Sequence, residues 1–162
     1  MDDRMIENRT KTDEVVIDAT GHVVGRLASV VAKKLLEGQK ITIVNAEKAV
    51  FTGNKRSIKE HYLMLARRKQ RTTHKKITVW YPGRPDTLLK NSITRMLPKK
   101  KPRGRDASSR LRVYIGIQNQ YAAKKLQTIE KAQLRGATSS SGKILKSMTL
   151  GDLAAEMGWT RR

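Results

Sequence analysis

The chain has 162 residues, enough for one ordinary domain that buries roughly 70% of its unfolded surface. It carries 35 Lys and Arg against 14 Asp and Glu, a net charge of +21, and no cysteine, which excludes a disulfide framework, a thiolate metal site and a cysteine nucleophile together. The acidic N-terminus has no signal-peptide core, and no apolar run approaches the roughly 18 residues of a membrane span, so a soluble, cytosolic protein is expected.

In chain order, residues 1–14 read as a tail. The run VVIDA at 15–19 reads as a buried strand. Val24, Leu27, Ala28, Val31 and Leu35 follow at helical spacing, with Thr20 as a candidate N-cap, Lys33 and Lys34 near the end and Gly38 just past it. ITIVNA at 41–46 is a second apolar strand, and the three elements make a strand-helix-strand unit of a parallel sheet. Ser57 and Glu60 stand at capping-box spacing before a helix whose face is Ile58, Tyr62 and Leu65. KITVW at 76–80 is predicted as a strand and YPGRP at 81–85 as a turn. A helix over 86–97 places Leu89, Ile93 and Met96 on one stripe, and Pro98 stops it. Residues 98–110 are expected to be a charged loop whose prolines bar a helix. Residues 111–116, LRVYIG, alternate as a strand with one buried face.

Beyond that strand the expectations are a helix over 121–135 with Ala122, Leu126 and Ile129 on one side, and a flexible link at GATSSSGK. The tail predicts a short helix capped by Thr149, with Leu150, Leu153 and Met157 on its stripe and Gly158 ending it. So short a helix is expected to dock on the body, or on a neighbour, without supporting the fold. The division is a tail at 1–14, an α/β domain at 15–116 and a helical extension at 117–162.

Charge is unevenly placed. Residues 1–53 are neutral overall, 54–112 carry a net +16 and 113–162 a net +5. At that density a compact chain repels itself unless a polyanion relieves it, and nucleic acid is favoured over an anionic membrane surface. Candidate phosphate-contacting residues form two groups. The first is Lys55, Arg56, Arg67, Arg68, Lys69, Arg71, Lys75, Lys76 and Arg84; the second is Lys99, Lys100, Lys101, Arg103, Arg105, Arg110 and Arg112. Trp80 or Tyr81 could stack on a base, although core packing for one and exposure for the other is the simpler reading.

Other chemistry is poorly supported. In DATGHVVGR, Gly21 and Gly25 are four apart and fit neither phosphate fingerprint, so a tight turn with Gly25 permitting close packing is expected, with no nucleotide bound. His22, His61 and His74 lie on separate elements without acids at ligand spacing, and no metal or other cofactor is expected. Asp18 lacks a nucleophile or second acid beside it and reads as structural. Two competing classes are a DNA-packaging protein and a nucleotide-dependent RNA enzyme, the second marked by nucleotide turnover.

Three stretches, VIDATGHVVGRLAS, IVNAEKAVFTGNK and RMLPKKKPRGRDASSRLRVYIG, together resemble the thirteenth protein of the large ribosomal subunit, a universal family. The short LLEGQKITIVNA connection and the long C-terminal third resemble its archaeal or eukaryotic type. The resemblance implies an α/β/α sandwich on a four-stranded parallel sheet and a structural, non-enzymatic role in the cytoplasmic large subunit. It also implies ribosomal RNA and neighbouring ribosomal proteins as partners, with no membrane or small-molecule substrate, and makes the 98–110 segment an RNA-binding extension.

Overall fold

The computed structural model describes residues 14–67, 69–71, 76–78, 81–134 and 146–160. The fold is mixed α/β, and its centre is a parallel sheet of β1 (Glu14–Asp18), β2 (Lys40–Val44) and β6 (Leu111–Val113), in the order β1-β2-β6. Between β1 and β2 runs α1 (Val24–Leu36), so the expected crossover unit is present. β3 (Val50–Thr52) pairs antiparallel with β7 (Ser147–Thr149). After α2 (Lys55–Arg67), β4 (Lys69–Arg71) and β5 (Lys76–Thr78) pair antiparallel as a hairpin. Then come α3 (Pro85–Arg95), α4 (Pro102–Ser109), the one-turn α5 (Asn119–Ala122) and α6 (Leu150–Glu156).

Alternation along the strands divides the core between the two sheet faces. Ile17, Ile41, Ile43 and Leu111 join Val24, Leu27, Val31 and Leu35 of α1 and Leu89 and Ile93 of α3 in one large apolar cluster. The other face is covered more thinly: Val16 and Val44 pack under Tyr121, with Tyr114 and Leu126 against them.

Among the described residues, three parallel strands are hydrogen-bonded where four were expected. The place beside β1 is taken by a single parallel bridge, Ile17 to Gln127, in which Gln127 N–H donates to Val16 O (2.8 Å) and Asp18 N–H to Gln127 O (3.1 Å). The expected helix over 121–135 is therefore replaced by α5, an extended strap and a 3-10 turn at Glu130–Ala132. The edge of β1 supplies partners for this backbone, and that tertiary gain outweighs the helical spacing of Ala122, Leu126 and Ile129.

The strap is fastened at both ends. Glu14 accepts from Lys124 Nζ (2.6 Å), Thr42 Oγ1 (2.8 Å) and Tyr121 OH (3.2 Å). At the other end, buried His22 donates from Nδ1 to Thr20 O (3.0 Å) and accepts at Nε2 from Ile129 N–H (3.1 Å), which requires the Nδ1–H tautomer. The Lys124 hydrogen bond is the largest influence on Glu14 and draws its carboxyl below the usual carboxylate value; burial opposes this, and Thr42 and Tyr121 reinforce it. A depressed carboxylate contributes stability above its unfolded pKa of about 4.3, and the contribution is lost as pH falls through the folded value. Glu14→Gln is thus expected to be less stable than the parent near neutrality and to converge with it below about pH 4. Urea midpoints across that range check this, and curves that stay parallel would refute it.

Several boundaries differ from expectation. α1 starts after Val23, because Thr20 donates from both its N–H and Oγ1 to Asp18 (3.0 and 2.7 Å) and is not available as a cap. Gly25 is exposed, and a Cβ added to it would meet nothing within 4 Å, so it does not mediate close packing; Gly21, at φ +68°, makes the turn. Ser57 lies inside α2, and Asn54 caps the helix instead, its Oδ1 accepting from Arg56 N–H (3.2 Å). Met96 leaves the apolar stripe of α3 and is 47% exposed.

The tail helix forms with Thr149 Oγ1 accepting from Asp152 N–H (3.0 Å), as its sequence predicts. Its independence from the core does not hold, since Leu150, Leu153 and Ala154 are fully buried, with both leucines in the main cluster. The GATSSSGK link and residues 1–13 lie outside the described residues.

Candidate nucleic-acid interface

The 98–110 segment is a turn and a helix instead of a loop. Lys101 is the extended N-cap and Pro102 takes the first helical position, where its fixed φ suits the helix and its missing N–H costs nothing. Pro98 O accepts from Lys101 N–H (3.0 Å), folding the turn onto the start of α4. Gly104 and Ala107 face inward and are buried. A Cβ on Gly104 would collide with Pro98 O and lie 2.6 Å from Pro98 C, so glycine is required here for close backbone approach and not for a special φ.

This geometry places Lys99, Lys100, Lys101, Arg103 and Arg105 on the exposed side. Lys99 and Arg105 flank a cleft of about 400 Å³ that also touches Thr94, Leu97 and Ser108. Arg103 and Arg110 are partly committed elsewhere: their Nη2 groups donate to Leu36 O and Leu35 O (both 3.2 Å) at the C-terminal end of α1. They add donors to the last-turn carbonyls, of which Leu35 O also accepts from Gly38 N–H (3.1 Å), and offset the negative end of the helix dipole. Arg110 is half-buried with its Nε enclosed, whereas Arg112, on β6, is exposed.

Three cations of the first group lie on α2. Lys55, Arg56 and Arg67 are exposed; Arg56 also pairs with Glu60 (2.8 Å), and Arg84 pairs with Asp86 (3.1 Å). Such exposed pairs contribute little to stability and can yield to a stronger anion. Lys69, Arg71 and Lys76 are on the hairpin strands, whose register sets Arg71 opposite Lys76. Arg68, Lys75, His74 and Trp80 lie outside the described residues. Tyr81 packs edge-on against Tyr62 at 5.6 Å, and Arg95 lies over its ring at 5.5 Å. Burial pushes the Tyr62 hydroxyl up. Arg95, which the sequence did not single out, is exposed beside the start of the MLPKKK run.

In the strand-to-helix turn the backbone donors of Thr20 to Val23 are engaged within the fold, Thr20 N–H by Asp18, Gly21 N–H by Lys48 O, His22 N–H by Ala19 O and Val23 N–H by Ala132 O. Asp18 ties this end of the sheet by accepting from Thr20 and from Asn45 Nδ2 (3.0 Å). Burial is the largest single influence on Asp18 and raises its pKa, but these hydrogen bonds together outweigh it and hold the carboxyl low. Among the described residues, no three His, Asp or Glu side chains are grouped to hold a metal ion.

Fold and surface define a class: a mixed α/β protein that carries its cations on a turn, helices and a hairpin around a buried parallel sheet. Residues 12–120 match the family described as Ribosomal protein L13. Three relatives carry the name large ribosomal subunit protein uL13. That of Methanococcoides burtonii is 40% identical, covering 88% of this chain and 96% of its own length. That of Methanopyrus kandleri is 43% identical over 89% and 86%, and that of Archaeoglobus fulgidus 38% over 91% and 89%. The chain belongs to the ribosomal protein L13 family.

Proposed function

We propose that the protein is a non-catalytic structural constituent of the large ribosomal subunit, located in the cytoplasmic ribosome, where it binds and stabilises folded ribosomal RNA beside neighbouring ribosomal proteins. Family membership and the uL13 relatives support the assignment. No described helix is long and apolar enough to cross a membrane. The finer architecture, a sandwich on four parallel strands, is supported by the Gln127 bridge at the edge of β1.

The observation that carries the RNA reading is the turn into α4: Lys99, Lys100, Lys101 and Arg105 are exposed and have no acidic partner among the described residues. Cations held apart on a folded turn suit converging phosphates, with Lys as a point charge and Arg as a fork. Arg56, Arg67 and Arg84 extend the cationic surface, and the hairpin strands carry Lys69, Arg71 and Lys76 in sequence.

The test is RNA binding at graded salt. Changing Lys99, Lys100, Lys101 and Arg105 to Gln is expected to weaken binding and to flatten the slope of log affinity against log salt by roughly 3, at about 0.7–0.9 per contact. Arg103 is left in place because it caps α1. The control is Lys125 and Lys131 to Gln; Lys124 is unsuitable because it holds Glu14. Unchanged affinity and slope in the fourfold variant would reduce the turn to a solvated charge run.

A further inference from the structure

Met96 caps the C-terminus of α3 and is 47% exposed, while Leu89 and Ile93 on the same helix are fully buried. It borders a groove of about 490 Å³ between α1 and α4, within the size range of small-ligand clefts. Ala32 and Leu36 complete an apolar lining; Lys33 and Arg103 supply cations and Glu37 an acceptor. Arg103 is positioned by its bond to Leu36 O (3.2 Å), which holds the guanidinium beside the groove.

We propose that this groove holds one unstacked nucleobase of the bound RNA. The inference rests on the RNA reading above and deepens it. RNA outside helices is recognised by splaying bases onto flat or apolar side chains, Arg guanidinium planes included, while their edges meet donors and acceptors. The groove presents that combination: Met96, Leu36 and Ala32 against the base face, Arg103 as a planar cation, Glu37 as an acceptor for an exocyclic amine, and Lys33 for a phosphate. Arg103 of α4 lines the groove, and the cationic turn at Lys99–Lys101 leads directly into that helix. The same charge disfavours the other occupant, a basic protein extension, which Lys33, Arg103 and Lys99–Lys101 repel.

Two measurements test it. A photoreactive diazirine side chain placed at position 96 alone, in protein assembled into large subunits, is expected to cross-link to ribosomal RNA at one nucleotide. Attachment to a protein, or no attachment, overturns the proposal. The same label at position 100 reports on the RNA interface itself: labelling from 100 but not from 96 removes only the groove assignment, and labelling from neither removes both. In binding to the ribosomal RNA, Met96→Ser is expected to lower affinity about fivefold with an unchanged salt slope, because the lost contact is to a base and not to a phosphate. Unchanged affinity, or a flattened slope, contradicts base capture.

Discussion

Gly104→Ala is expected to lower the melting temperature by about 10 °C, from a loss of about 3 kcal/mol at about 2–4 °C per kcal/mol for a chain of this size. The added methyl would collide with Pro98 O and meet Pro98 C at 2.6 Å, and these are backbone atoms that no rotamer change can move aside. Either α4 swings outward, exposing Ala107, or the turn at residues 98–101 opens and loses the Lys101 N–H to Pro98 O bond. The first route also pulls Arg103 and Arg110 from the end of α1. Differential scanning calorimetry of the free protein measures the loss. A midpoint within a degree or two of the parent would show that the turn and α4 can separate at almost no cost.

The second large effect concerns the tail. Leu153→Ala is expected to cost about 3 kcal/mol, the middle of the range for deleting a fully buried leucine side chain. A chain ending at residue 145 is expected to lose cooperative unfolding altogether. It would lack β7 as the partner of β3, the Leu150 N–H to Ala49 O bond (2.8 Å), and the buried faces of Leu150, Leu153 and Ala154. α6 also seats closely on the 3-10 turn at Ala46–Lys48, where a Cβ on Gly151 would approach Glu47 O to 3.2 Å. Chemical denaturation with fluorescence detection decides the matter. A truncated chain with a sharp transition at an unchanged midpoint would mean that the tail is only docked.

How much of this was legible in the sequence follows from how local each determinant is. The strands β1 and β2 and helix α1 are specified by their own apolar periodicity, and the Thr149 cap by residues within one turn of it. The strap from Leu126 to Leu134 could not be read this way, because its backbone partners are Val16, Asp18, Gly21 and Val23, more than a hundred residues upstream. Periodicity alone made it a helix. In the basic segment the error was positional: proline forbids the interior of a helix but suits its first residue, and Pro102 stands at the first residue. The cations were found from charge alone. That Arg103 and Arg110 turn back onto α1 depends on tertiary packing, which composition does not carry.

The folded state of α4 has a consequence for the order of events when the protein meets its RNA. A disordered cationic strand would have to be organised during or after encounter, making binding weak for its charge. Here the turn and helix exist beforehand, anchored through Gly104 and Ala107, so the charge is presented as a fixed pattern. Encounter is then steered by the electrostatic field and limited by diffusion and orientation, with association rates that fall steeply as salt rises. Under the RNA contact proposed above, the folded turn serves as the template, and the time needed to form the joint is set by how the RNA strands reach it.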